Sequence, residues 1–205
     1  MPREARQFVP GGLYHVIARG NRGQEVFLDD ADRARFLTKL QEHLQVTGCI
    51  LYAFVLMPNH VHLLLGVGNE PLATLMQPLL TSHVRWFNNR HGRSGHLFQG
   101  PYQAILCQRE SHLLELIRYL HLNPVRAGLC GMPQEYAWSS HSDYVGRLPR
   151  PWIAAGEVLS LFSFRQPRAH AAYERFVAEG MGQGYRPDLH PGGRRRTRIT
   201  RALHD

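Results

Sequence analysis

A short run in the first third of the chain reads Met57-Pro58-Asn59-His60-Val61-His62-Leu63-Leu64-Leu65. Apolar residues at 61, 63 and 65 alternate with positions 60, 62 and 64, which is the period-two pattern of a β-strand. His60 and His62 therefore project from one face of that strand, with backbones roughly 7 Å apart. Two neutral imidazoles at this spacing can lean onto one divalent cation, although two hydrogen-bonded histidines on a half-buried strand would give the same pattern. The run predicts a candidate metal site and leaves the structural alternative open.

The segments around this strand predict an α+β fold. Residues 49–56 form a second strand that turns at Pro58-Asn59 into the histidine strand, as in an antiparallel hairpin. We also expect strands at 13–18 and 102–106, a helix after Asp29 that ends before Gly48, and a helix from Pro71 that Pro78 kinks or splits. The order strand, helix, strand, strand, helix, strand is that of a ferredoxin-like split βαβ sandwich, with a four-stranded antiparallel sheet. Helices on one face would leave the other face open for a site.

A third helix carries a second group of candidate site residues. Its apolar positions recur every three or four residues after Ser111, and Asn123-Pro124 should end it, because the residue before a proline disfavours the α conformation. Tyr119 and Asn123 lie one turn apart on the flank of its apolar face. A tyrosine there is usually an amphipathic core residue. Beside a metal-binding strand its phenol could instead attack a phosphodiester, with help from a cation, because only about a thousandth of free phenol is ionised at pH 7.

Composition narrows the class of protein. The 205 residues suffice for one well-buried domain with an extension, or for two small domains. Lys+Arg 24 against Asp+Glu 16 gives a net charge of +8, mostly from arginine, which favours an anionic partner such as nucleic acid. Three cysteines without a Cys-x-x-Cys pair argue against a disulfide framework or a cysteine zinc site. Without an apolar run of membrane-spanning length or a signal sequence, we expect a cytoplasmic protein with no membrane partner.

Several motifs together resemble one known family. His60-Val61-His62 within Met-Pro-Asn-His-Val-His is followed by Tyr119 in Arg-Tyr-Leu-His-Leu-Asn-Pro-Val-Arg-Ala-Gly-Leu. This combination is similar to the HUH single-tyrosine transposases, and most similar to the REP-associated tyrosine transposases. The other matching pieces are Gly11-Gly12-Leu13-Tyr14-His15-Val16 followed by Arg19-Gly20-Asn21, then Gly95-His96-Leu97-Phe98-Gln99-Gly100, and Trp138-Ser139-Ser140. The resemblance covers about residues 8 to 145, and it departs at Pro101 and Gln103, where the family tends to carry basic residues.

The resemblance implies roles for individual residues. It implies a ferredoxin-like fold, a divalent metal (Mg²⁺ or Mn²⁺), and single-stranded DNA folded into a hairpin as substrate. By similarity, Tyr119 is the nucleophile, which forms a 5′-phosphotyrosine and leaves a free 3′-hydroxyl. His60 and His62 are then the paired metal ligands and Asn123 is the third. The implied activity is DNA nicking and strand transfer in transposition, by a monomer or a homodimer.

Arginines are the candidates for phosphate contact, although each could equally be a solvated surface charge. The composition changes at Pro149-Arg150-Pro151, after which residues 158–164 and 169–179 predict two short helices. Residues 192–198 form a basic tail of a kind that is often disordered and binds nucleic acid. We therefore expect a catalytic domain over 1–148 and a helical extension with a basic tail over 149–205. The arginines assigned to DNA binding are Arg19, Arg22, Arg85, Arg90, Arg93, Arg118 and Arg126.

Two other functions stay open on the sequence. A non-cleaving relative could hold DNA or RNA hairpins, although binding alone would not require all four site residues. A small metallohydrolase could use a metal-bound water, with Tyr119 in a structural role. A covalent protein–DNA adduct would separate the transposase from both alternatives.

Overall fold

A four-stranded antiparallel sheet is the centre of the fold. The structure is a computed structural model that describes residues 8–107 and 109–182, so the basic tail at 192–198 lies outside the described residues. The sheet has the order β2-β3-β1-β4, which confirms the predicted α+β class and split βαβ arrangement. Its strands are β1 (Leu13–Arg19), β2 (Ile50–Met57), β3 (His60–Gly66) and β4 (Gln103–Cys107).

Six α-helices accompany the sheet in the described part of the chain. The first two form the crossovers of the split βαβ unit and pack on each other. The third follows β4, and the short fourth helix comes before residue 148. The last two overlap the two short helices predicted at 158–164 and 169–179. The helices are α1 (Asp30–Thr47), α2 (Leu72–Arg90), α3 (Arg109–Arg126), α4 (His141–Tyr144), α5 (Ala155–Leu159) and α6 (Gln166–Glu179).

The predicted ends of α1 are confirmed by its capping contacts. The side chain of Asp29 accepts a hydrogen bond from the backbone N–H of Asp32 at 3.1 Å, which satisfies an unpaired donor at the N-terminus. Gly48 ends the helix with φ 63°, the left-handed conformation that glycine adopts without steric cost. α1 is thereby fixed at both ends by local sequence.

Neither of the two prolines inside helices interrupts its helix, so the predicted split at Pro78 does not occur. α2 is one continuous helix across Pro78. α3 runs past Pro124 to Arg126, so the predicted end at Asn123 was wrong. It ends instead in a Schellman motif, in which Leu129 N–H donates to Pro124 O and Gly128 N–H donates to Val125 O, both at 2.9 Å. Gly128 has φ 69°, and the helix ends at this glycine. Pro124 lies near the end of the helix, where it removes only one backbone hydrogen bond and does not stop the helix.

Both faces of the sheet are covered, so the expected open face was wrong. Nearly every residue of β2 and β3 is buried, and this holds for the side chains on both faces of the sheet. α3 contacts both of these strands. Because α1 and α2 pair on one face, α3 covers the face that the sequence left open, and it carries Tyr119 onto the face of His62.

The region that follows α3 packs against the sheet and against α3. Its backbone continues hydrogen bonding along the outer edge of β2, where Leu56 N–H donates to Trp138 O and Ala154 N–H donates to Leu51 O, both at 2.9 Å. α6 lies against α3. The domain boundary at 148 remains a prediction. Within the described residues, none of the helices has the length and apolar character that crossing a bilayer demands.

Candidate active site

The two histidines of β3 lie side by side, as the alternation predicted. The ring centroids of His60 and His62 are 4.8 Å apart and the rings are nearly perpendicular, at 85°. His62 is only 4% exposed, whereas His60, at the start of the strand, is half-buried. The pair therefore presents one deeply buried and one shallow imidazole.

Each of these imidazoles is hydrogen-bonded through Nδ1. His60 Nδ1 lies 2.6 Å from Asn59 Oδ1, and His62 Nδ1 lies 2.9 Å from Nε2 of His15 on β1. A neutral imidazole coordinates a metal through the nitrogen that carries no proton, and that choice is set by the hydrogen bond at the other nitrogen. With Nδ1 engaged in both rings, Nε2 would be the atom available for coordination in each.

Tyr119 of α3 meets this histidine face within the same chain. Its ring centroid is 6.3 Å from that of His62 and 6.1 Å from that of His15, and both contacts are edge-on. The tyrosine is 4% exposed, so α3 holds it buried against the sheet and not on an open face. The structure thus brings the predicted nucleophile to the predicted ligand pair.

Asn123 lies one turn after Tyr119, and its amide is oriented by the helix. Its Nδ2 donates a hydrogen bond to the backbone carbonyl of Tyr119 at 2.9 Å. The other end of the amide, Oδ1, is the atom that could serve as a metal ligand. This orientation suits the third role that the resemblance assigned to Asn123.

The donor set fits a divalent cation that is shared with a substrate. Among residues 8–107 and 109–182, no three or more His, Cys, Asp or Glu side chains are grouped to hold a metal ion. The chain offers two imidazoles and one amide oxygen instead. Such a set fits a cation that takes its remaining ligands from phosphate oxygens and water, as divalent ions at phosphoryl-transfer sites do.

Comparison with known proteins shows the family of this chain. Residues 9–123, which include the sheet, the two histidines and the tyrosine, match the family described as IS200-like transposases. The chain belongs to this family. It is therefore a single-tyrosine transposase of the HUH endonuclease class, as the motifs predicted.

Of two similar solved structures, the one with the higher TM-score shares this fold. A REP-associated tyrosine transposase bound to a REP hairpin covers 74% of this chain and 89% of its own, with TM-score 0.59 and 16% identity, a level that establishes the fold alone. A protein from Deinococcus radiodurans R1, provisionally described as a transposase, covers 58% of this chain and 94% of its own, with TM-score 0.41 and 21% identity. A search of curated proteins found no match.

Three of the predicted DNA-binding arginines lie around the transposase site. Arg19 is exposed at the end of β1 and pairs in register with His60, so it points from the same face of the sheet. Arg22 is exposed in the loop that follows. Arg126 places its guanidinium carbon 5.4 Å from the centroid of the Tyr119 ring. These positions suit contacts to phosphates at the nicking site.

Two other predicted arginines have structural partners. Arg90 binds both carboxylate oxygens of Asp29 and one of Asp32, all at 2.7 Å, and its hydrogen bond holds the pKa of Asp29 well below the ordinary value. Arg118 is 7% exposed and donates to Glu115 Oε2 at 2.6 Å and to the carbonyl of Phe176 at 3.3 Å. Both guanidiniums are engaged within the protein, so we leave them out of the proposed DNA contacts.

The remaining two lie away from the histidines. Arg85 is exposed on α2 and lines a groove with Arg35 and Lys39 of α1. Arg93 stands over the ring of Phe87, 5.4 Å from its centroid. Their assignment to DNA remains a prediction.

A loop following β1 braces the turn that leads into β3. Gly20 N–H donates to Asn59 O, and Val26 N–H donates to Pro58 O, both at 2.8 Å. A Cβ on Gly20 would lie 2.0 Å from the carbonyl oxygen of Gln24, so this close approach requires glycine. The brace fixes the position of Arg19 and Arg22 relative to the histidines.

Sequence reasoning missed His15 as a site residue. The alternation within β1 already placed His15, Ile17 and Arg19 on one face. That this face is the one that carries His62 depends on the pairing register of β1 with β3, in which Ile17 is opposite His62. The pairing register of β1 with β3 was the information that the sequence did not provide.

Proposed function

We propose that this transposase nicks and rejoins single-stranded DNA at hairpin-forming sequences through a 5′-phosphotyrosine on Tyr119. The observation that carries the proposal is the approach of the Tyr119 ring to 6.3 Å from the ring of His62 within one chain. A phosphate bound at the histidines would lie within reach of the phenol. One chain supplies the whole site, so a monomer suffices for cutting.

The proposed step exchanges one phosphate ester for another. Tyr119 Oη attacks the phosphorus, a tyrosyl O–P bond forms, and the bond from phosphorus to the 3′ oxygen breaks. The phenolic proton passes to water, and the departing oxygen takes up a proton to become the free 3′-hydroxyl. Because an ester bond is conserved, a 3′-hydroxyl can reverse the step, and strands are joined without ATP.

The residues around Tyr119 have distinct parts in this step. His60, His62 and Asn123 would hold a divalent cation, Mg²⁺ or Mn²⁺, which when bound polarises the phosphate and offsets its negative charge. Arg126 lies over the phenol ring and would stabilise charge that develops on the phenolic oxygen. Arg19, beside His60, would bind a neighbouring phosphate.

Hairpin DNA is the partner that we propose. A structural relative of the same fold was solved with a REP hairpin, which supports this class of ligand. The net charge of +8 favours a polyanion, and the exposed Arg19 and Arg22 lie next to the site. Binding should therefore weaken steeply as salt concentration rises.

Trapping a covalent adduct tests the proposal. The chain is incubated with labelled single-stranded hairpins from DNA flanking its gene, with Mg²⁺ or Mn²⁺, and then denatured. Wild type should give a labelled protein band and Tyr119→Phe none. Tyr136→Phe is the matched control, and this variant should keep the adduct. It also removes one tyrosine hydroxyl, which in the wild type donates a hydrogen bond to the carbonyl of Leu56 at 2.7 Å.

The same assay contains the results that would overturn the proposal. An adduct with Tyr119→Phe would place the nucleophile elsewhere. Cleavage without any adduct in the wild type would favour hydrolysis by metal-bound water. Binding with neither cleavage nor adduct would favour a hairpin-binding protein that no longer cuts.

A further inference from the structure

A third histidine lies behind the candidate ligand pair. His15 on β1 is 1% exposed, and its Nε2 is 2.9 Å from Nδ1 of His62. The two rings are stacked, with centroids 5.0 Å apart and planes 27° from parallel. The same imidazole meets the ring of Tyr119 edge-on at 6.1 Å. His15 therefore contacts both the candidate ligand and the candidate nucleophile.

The pairing of the strands fixes this contact. In the antiparallel register of β1 with β3, Ile17 is opposite His62 and His15 is opposite Leu64. His15 is thus the diagonal neighbour of His62 on the same face, a position within reach of a long side chain. Both backbones belong to the interior of the sheet, so the hydrogen bond is held by the ladder and not by a mobile loop.

We propose that His15 is a positioning residue, which fixes the tautomer and the ring orientation of His62 for metal binding. The inference rests on the proposed function, in which His62 binds the cation. If His62 coordinates through Nε2, its proton must be on Nδ1, and that N–H needs an acceptor. Nε2 of His15 is at hydrogen-bond distance and accepts it, which places the proton of His15 on its own Nδ1.

Each of the two candidate ligands then has its own hydrogen-bond acceptor, and the two acceptors differ in kind. Asn59 Oδ1 accepts from Nδ1 of His60, next to it in the chain, and His15 accepts from Nδ1 of His62 across the sheet. Acceptors of this kind orient the imidazole and raise its basicity as a ligand. The deep histidine, which is buried away from water, depends on a protein group for this purpose.

Substitutions at His15 distinguish positioning from packing. The carbonyl oxygen of a glutamine can occupy the place of Nε2 and accept the same hydrogen bond, whereas leucine fills the space without an acceptor. A positioning role predicts that His15→Gln retains metal binding and His15→Leu loses it. A packing role predicts the reverse order, because leucine suits an apolar interior better.

The measurement is Mn²⁺ affinity, followed by electron paramagnetic resonance, on the full chain with a bound DNA hairpin. All variants carry Tyr119→Phe so that no cutting occurs. We expect His15→Leu to raise the Kd by about 10- to 100-fold and His15→Gln to stay within about 5-fold of its parent. Thermal unfolding of each variant is recorded alongside.

The other possible results separate a failure of the metal site from a failure of the positioning role. If His60→Ala binds Mn²⁺ as well as its parent, the metal site itself fails. If His60→Ala loses binding and His15→Leu keeps it, the positioning role fails and the metal site stands. If His15→Leu does not fold, nitrogen-15 spectra of the Mg²⁺-loaded Tyr119→Phe parent with the bound hairpin decide: a proton on Nδ1 of His62 supports the proposal, and one on Nε2 overturns it.

Discussion

Acidification from pH 7 to pH 5 should destabilise the fold steeply, because buried histidines stay neutral in it. Burial lowers the pKa of His83, of His121 and of His141, and for His141 it falls from 6.5 to about 4. The nearby positive charge of Arg147 adds to the effect at His141. Because the folded pKa is depressed, the unfolded chain binds protons first, and stability is lost as pH falls below 6.5.

The size of this loss follows from the pKa values. Over the window from pH 7 to pH 5, the shift at His141 removes roughly 2 kcal/mol of unfolding free energy. Burial also holds the pKa of His121 well below 6.5, which acts in the same direction. Asp32 contributes little, because its ordinary pKa of 3.8 lies below the window and folding lowers it further. Burial raises the pKa of Asp143, which acts in the opposite direction to the histidines. A loss of about 2 kcal/mol from His141 alone is a sizeable share of the 5–15 kcal/mol typical of a domain.

Urea unfolding at pH 7, 6 and 5 measures this loss, and His141→Phe isolates one contribution. Nδ1 of His141 is buried and has no hydrogen-bond partner among the described residues, so a phenylalanine removes a proton site and keeps a flat ring. This variant should lose about 2 kcal/mol less than wild type between pH 7 and pH 5. A wild-type stability that stays flat over this range, or equal losses in both proteins, would refute the reasoning.

Three substitutions test other parts of the structure. Gly20→Ala should cost about 2 kcal/mol or more of stability and weaken hairpin binding, because its Cβ would clash with a backbone carbonyl; urea unfolding and binding titrations measure both. Arg126→Gln should slow adduct formation about tenfold with little change in stability, because a charge beside the phenol is lost; single-turnover kinetics measure the rate. Tyr173→Phe should cost about 1–3 kcal/mol in urea unfolding, because it removes the hydroxyl that pairs with the buried imidazole of His121 on α3.

Each of these has a control within the chain. A Cβ on Gly100 meets open space, so Gly100→Ala should leave stability and binding nearly unchanged. Arg175 is exposed on α6, and Arg175→Gln should leave the adduct rate unchanged. Ser140 Oγ holds Nε2 of His121 at 2.7 Å, so a double-mutant cycle of Ser140→Ala with Tyr173→Phe should be non-additive. Additive losses in this cycle would contradict a single buried network.

Local patterns were enough to predict the sheet and its helices. The alternation in residues 60–65 located β3, and Asp29 with Gly48 set the ends of α1, because these signals act within a few residues. The pairing of His60 and His62 followed from the same alternation. The meeting of these histidines with Tyr119 came from the family resemblance and not from periodicity.

Features that depend on long-range packing could not be predicted. Arg118 looks like any basic residue on a helix, yet α6 buries it by placing Phe176 over its guanidinium, 4.3 Å from the ring centroid. His15 became a site residue only through the register of β1 with β3. Pro124 failed to end α3 because the glycine at 128 stabilised a further turn.

The layer formed by α6 limits how copies of the chain can interact. α6 is attached to α3 by Arg118, which donates to the carbonyl of Phe176 at 3.3 Å, and by His121, which is hydrogen-bonded to the hydroxyl of Tyr173. α6 also contacts α5, and Nδ1 of His170 on α6 lies 2.7 Å from the carbonyl oxygen of the last residue of α4. Moving α3 to the sheet of a second copy would therefore break contacts of α6, either with α3 or with the rest of its own chain. Consider two inactive chains, one with a defective tyrosine and the other with a defective histidine. They could form a shared active site only after α6 had detached from α3 or from the rest of its own chain, so mixing them should not restore activity.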